Sequence, residues 1–324
     1  MQLVDQMRRA SRPRLCLAVL TTTLAGCSVN TYKPAVDRFA TATHQAQDAY
    51  TKMESTVLAS HAETLRQQLL RGERRATLKP GSCKEQSKDC EILIVDRKGT
   101  TVPLHEKFEN INLLMSGIAA YAANLQAIAT SDAPQQVTAS LSAAAGSIKN
   151  LDAALASIKG STASQDAAVI DASANIAGWV AGEYVNQLQV DALRKATARA
   201  NPVIQKALPV LQEAATSAAT TVNAGYAEQV DAQREAYRRA PGDRAALDRF
   251  EKAVLDFDTA LKGTSPAVFD AMAVAHRDLT DALAGKNVTL ADASAAIEEF
   301  AKKAESLHKL VVALEAAAKP PEKK

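Results

Sequence analysis

Reactive clusters are scarce in this chain. Five histidines are spread over 324 residues, and no HExxH, CxxC or EF-hand spacing gathers ligands for a metal. There is no GxSxG turn and no phosphate-binding glycine loop. His276-Arg277-Asp278 imitates a kinase catalytic loop, but the fifth residue after Asp278 is Leu283 rather than Asn. His44 and His61 fall on one predicted helix at positions that point about 100° apart, so they do not form a pair. His276 lies on an apolar helical stripe and reads as a core histidine. These residues point to no catalytic centre, no metal site and no cofactor. Aromatics make up 4% of the chain and there are only 13 glycines. With alanine abundant, that balance favours helix, because Ala loses no side-chain entropy on becoming helical.

Cysteine is also rare: Cys16, Cys27, Cys83 and Cys90 are the whole complement. The first lies in a basic and then apolar leader, with Arg8, Arg9, Arg12 and Arg14 followed by an apolar stretch from Leu15 to Gly26. A positive region before a short apolar run is the pattern of an export signal, and the run is shorter than the ~20 residues that span a bilayer. Leu24-Ala25-Gly26-Cys27 resembles the lipobox of bacterial lipoproteins. That resemblance implies cleavage between Gly26 and Cys27 and a covalent lipid on Cys27. Ser28 stands where Asp commonly signals inner-membrane retention, so the same resemblance implies an outer-membrane anchor facing the periplasm.

Loss of residues 1–26 changes the charge. The whole chain is +2. The leader holds four Arg and one Asp, which leaves about −1 for the rest. No basic surface argues for nucleic acid. In an oxidising compartment, Cys83 and Cys90 are expected to pair as a disulfide, worth roughly 2–3 kcal/mol for so short a loop. The rival reading is a metal pair, but no nearby His or Cys completes a tetrahedral set.

The remaining residues read as an all-α, elongated antiparallel helical bundle at 35–318, after a lipidated tether at 27–34 and before a disordered tail at 319–324. Heptad-like stripes mark the helices. The clearest is Leu290, Ala293, Ile297, Phe300, Ala304, Leu307, Val311 and Leu314, with Thr289 and Asp292 resembling a capping box at its start. Phe269, Met272, His276, Leu279 and Leu283 precede Gly285. Leu247, Phe250, Val254, Phe257 and Leu261 precede Gly263. Earlier helices are expected over 36–70, through Phe108–Ile128, through Val137–Ile158, and over Gln165–Ala200 with the only Trp, Trp179. Another is expected to start at Asn201-Pro202, run to about Arg239, and bend at Pro209. One insert near 76–105 is not helical. Glu91–Val95, a turn at 96–99 and Thr100–Val102 read as a small β-hairpin stapled at its base by Cys83–Cys90.

Only six residues between Asn110 and Gly182 are charged. Burial inside the bundle, a partner surface and membrane insertion all fit that stretch. Three functions follow in order. The first is a non-enzymatic, lipid-anchored structural or protein-binding module with a protein partner in the envelope. The second is a membrane-active protein, loosely resembling α-helical pore-forming cytolysins. The third is a periplasmic enzyme whose site is assembled from distant residues among His44, His61, His105, His276 and His308.

Overall fold

The computed structural model describes residues 29–70, 72, 75–78, 92–95, 104–159, 181–263 and 266–318. Side chains at 56–68, 70, 76–78, 92–95, 104–108, 159, 181–183, 262–263 and 316–318 lie outside what it describes. Cys27, Cys83, Cys90, Trp179, the turn at 96–99 and the tail at 319–324 also fall outside the described residues.

The described residues form an all-α bundle of seven helices with one two-stranded ladder. The helices are α1 (Val29–Leu70), α2 (Leu104–Thr130), α3 (Pro134–Lys159), α4 (Ala181–Arg239), α5 (Arg244–Gly263), α6 (Ala267–Leu283) and α7 (Leu290–Ala318). The strands are β1 (Arg75–Leu78) and β2 (Ile92–Val95).

Short turns reverse the chain between neighbours. Gly242 (φ 93°) sits in the α4–α5 turn and Gly285 (φ 68°) ends α6, a left-handed conformation that glycine adopts without a Cβ penalty. Asp243 starts α5 by accepting the amide of Ala245 at 2.9 Å. The expected capping box at α7 is present. Thr289 N–H donates to Asp292 Oδ2 at 2.9 Å and Asp292 N–H donates to Thr289 Oγ1 at 3.2 Å.

Helix α2 is the central element, with α1, α3 and α4 packed around it. Glu109–Thr130 is long and apolar enough to cross a membrane by length and composition, yet half of that window is buried in the bundle. Ile111, Leu114, Met115, Ile118, Tyr121, Leu125 and Ile128 are all fully buried. The low charge of α2 is accounted for by its central place. Close approach matters here too: a Cβ on Gly117 would meet Leu151 Cδ1 of α3 at 3.2 Å.

Three expectations are corrected. First, no helix boundary occurs at Asn201-Pro202; α4 runs for 59 residues through both Pro202 and Pro209. Each proline removes a helical hydrogen bond, at a cost of about 3 kcal/mol. Both lie on the exposed side, and Pro202 frees the carbonyl of Ala198, itself exposed, so water can satisfy it. Val203, Ile204, Ala207 and Leu211 on the opposite side are buried, and that burial offsets the cost. Second, β2 pairs antiparallel with the upstream strand β1, in register Arg75↔Val95 to Leu78↔Ile92, rather than with Thr100–Val102. High β-propensity identifies Ile92–Val95 as a strand but does not choose its partner. Third, α1 starts at Val29 and so takes in residues that the sequence reading gave to a tether. Val29, Tyr32, Ala35 and Val36 are already buried, because their three- and four-residue spacing extends the core stripe back to the first turn.

Candidate functional site

The one buried histidine in the described core is the natural place to test for chemistry. His276 on α6 is completely buried. Its Nε2 lies 2.9 Å from the Tyr121 hydroxyl of α2 and its Nδ1 lies 3.2 Å from Asn201 Oδ1 of α4. An amide oxygen only accepts, so Nδ1 carries the proton and donates to Asn201. Nε2 is then bare and accepts from the Tyr121 O–H. Gln205 Nε2 steadies the arrangement by donating to Ala273 O at 3.2 Å and to Asn201 Oδ1 at 3.5 Å. Phe39 of α1 packs on the imidazole with ring centroids 5.7 Å apart.

Burial sets the protonation states. It lowers His276 from its ordinary 6.5 to about 3 and pushes the Tyr121 phenol well above its usual range, because each charged form is penalised in a dry interior. Both groups are neutral, and the Asn201 and Gln205 amides beside them carry no charge. The cluster ties α2, α4 and α6 together in one register. It is sealed from solvent, so no substrate reaches it. The sequence reading of His276 as a core residue agrees with this placement. The signal for its partner was misread, since Asn201 faces His276 instead of capping a new helix.

The other histidines do not join it. His44 is exposed and His308 is half-buried on α7; the side chains of His61 and His105 lie outside the described residues. Among the described residues no three His, Cys, Asp or Glu side chains are grouped to hold a metal.

Clefts open to solvent lie between the helices. A cleft of about 600 Å³ lies between α5, α6 and α7, lined by Asp258, Val268, Glu299, Lys302, Lys303 and Leu307 among others. Lys303 is engaged with Glu299 at 3.1 Å. A cleft of about 510 Å³ lies at the end of the bundle where α1 begins, with Val29, Lys33, Ser131, Tyr184 and Gln189 in its wall. Gln189 is committed to structure there, donating to Ile128 O at 3.0 Å, which also accepts the Ser131 N–H at 3.4 Å, and to Ser131 O at 2.9 Å just past the end of α2, where helix carbonyls lack partners of their own. Neither lining contains His or Cys.

The least satisfied apolar surface is on α5. Its Leu247–Leu261 stripe reads as core in the sequence, but the fully buried row is Ala246, Ala253 and Ala260. Leu247, Phe250 and Phe257 are half-buried. Val254 is 42%, Leu255 65% and Leu261 52% exposed. Helix α5 packs on α4 and α7 and turns its small residues inward. Both rows repeat every seven residues, so the sequence pattern did not decide which one faces α4. No protein-family model, curated protein or solved structure matches this chain.

Proposed function

We propose that this chain is a lipid-anchored protein of the bacterial cell envelope, a non-enzymatic helical module that binds a protein partner. The anchor is Cys27, with cleavage after Gly26, and the outer membrane facing the periplasm is its place. One observation carries the reading: α1 begins at Val29 as a core helix, two positions after the lipobox cysteine. A diacylglyceryl group on Cys27 would therefore hold a folded body at the membrane, with several acyl chains giving stable attachment where one does not. Protein binding is favoured over catalysis because the buried histidine is sealed, while large apolar side chains stand exposed together on α5.

A Cys83–Cys90 disulfide belongs to the same proposal. Both cysteines fall within the 79–91 connection between β1 and β2, so the bond would shorten the loop that joins the paired strands.

Metabolic labelling with palmitate tests the anchor. The wild-type chain is expected to take up label and to sediment with outer membranes, whereas Cys27→Ala is expected to be unlabelled and to keep residues 1–26. An unlabelled wild-type chain released to the soluble fraction would refute the proposal. Non-reducing peptide mapping checks the disulfide, and free thiols at both positions in freshly isolated protein would exclude it.

A further inference from the structure

We infer that the cleft at the Val29 end of the bundle seats the neck of the chain's own lipid anchor, the thioether and glyceryl diester on Cys27. This joint rests on the proposed lipidation of Cys27 and goes beyond it, because the anchor then fixes the bundle's orientation instead of tethering it loosely.

Position comes first. The cleft, about 510 Å³, is walled by the start of α1, the α2–α3 turn and the start of α4. Its volume falls in the range of small-molecule sites, ~300–1,000 Å³. Val29 is the first residue of α1 and lines it. Cys27 stands two residues earlier, so even at full extension its backbone lies within about 7 Å of Val29. A covalent tether this short holds its cargo at high effective concentration beside the opening.

The chemistry of the wall matches the neck. Tyr184 lines the cleft, and its hydroxyl oxygen is closed to bulk water with no hydrogen-bond partner. An unpaired buried donor costs about 1–3 kcal/mol, and an ester carbonyl seated against it would accept the proton. Asn186, half-buried in the same wall, adds an amide donor. The first N–H groups of α1 point out of the same end without helical acceptors. All of these groups can donate, and esters only accept. Ala129, Pro134 and Val185 supply apolar wall for the glyceryl carbons.

Charge argues against a phospholipid headgroup as the occupant. The cation in the wall, Lys33, is engaged with Asp37, and Asp132 stands exposed in the same lining, where it would repel a phosphate. Acyl chains do not belong in the cleft either. Each CH₂ gains ~0.8 kcal/mol in the bilayer, which an open cleft does not match. The chains therefore run on into the membrane while the esters stay. Helix α4 starts in the cleft wall and extends for 59 residues, about 88 Å. Docking thus turns the α2–α3 turn toward the membrane and carries the α4–α5 turn away from it.

The variant Tyr184→Phe removes only the unpartnered hydroxyl. Its thermal unfolding in maltoside detergent is compared in two backgrounds, the palmitate-labelled mature chain and the unlipidated Cys27→Ala chain. In the lipidated protein Tyr184→Phe is expected to lower Tm by roughly 2–4 °C, the loss of one hydrogen bond. In Cys27→Ala it is expected to leave Tm unchanged or to raise it, because the hydroxyl there has no bond to lose. Photo-crosslinking in cells checks the place. Benzoylphenylalanine at Asp132 is expected to join the lipidated Cys27 peptide. The same group at Ser306, in the α5–α6–α7 cleft, is expected not to. An equal Tm shift in both backgrounds, no shift in either, or links from position 132 to phospholipid alone would each overturn the joint while the palmitate label still marks the anchor. An unlabelled chain would overturn anchor and joint together.

Discussion

His276 makes stability depend on pH in a way that its neighbours do not mask. Folding lowers its pKa from 6.5 to about 3, so between those values the unfolded chain binds a proton that the folded chain refuses. The stabilisation is complete above about pH 6.5 and is lost progressively as pH falls toward 3. At about pH 4.5 the deficit covers two units below 6.5, and at about 1.4 kcal/mol per unit this is roughly 3 kcal/mol. No discount for solvent screening applies, since the ring is completely buried. The comparison is His276→Gln, whose amide donates to Asn201 and accepts from Tyr121 but does not titrate. Denaturant unfolding of both proteins at about pH 7.5 and about pH 4.5 should show the wild type losing about 3 kcal/mol more than the variant, because every carboxylate contributes equally to both. Parallel losses within about 0.5 kcal/mol would show that the imidazole is hydrated or charged in the folded protein, and the argument from burial would fail.

Packing and capping give further tests by thermal or denaturant unfolding. Gly117→Val should destabilise by about 1–3 kcal/mol, since even a Cβ there meets Leu151 Cδ1 at 3.2 Å. Gly146→Ala, with nothing within 4 Å of an added Cβ, should instead stabilise by about 0.5–1 kcal/mol. Phe39→Ala empties a fully buried site against His276 and Phe300 and should cost about 3–5 kcal/mol. Gln189→Ala removes the side-chain donor from the Ser131 carbonyl and leaves Ile128 O with only the long bond from Ser131 N–H at 3.4 Å, and should cost about 1–3 kcal/mol. Wild-type stability in any of the three destabilising variants would contradict the packing described.

Helices and their ends follow from local rules that act within one or two turns. Alanine content, the three- and four-residue spacing of apolar side chains, Gly263 and Gly285 as stops, and the Thr289–Asp292 box mark α5, α6 and α7 in the sequence itself. The central burial of α2 could be suspected from its low charge but not chosen over a partner or a membrane, because composition reports that a face avoids water and not what covers it.

Tertiary structure decided the rest. Pro202 and Pro209 sit inside α4 because core contacts on the far side outweigh two lost hydrogen bonds, a balance that local propensity does not contain. Asn201 serves His276 because α6 packs at that height along α4. Alanine rather than leucine forms the buried row on α5, and equal periodicity in both rows left that choice to the neighbouring helix. What the chain order alone determined was therefore where helices form and turn. Their rotation, continuity and partners were set by long-range packing, whose energies exceed the local preferences they override.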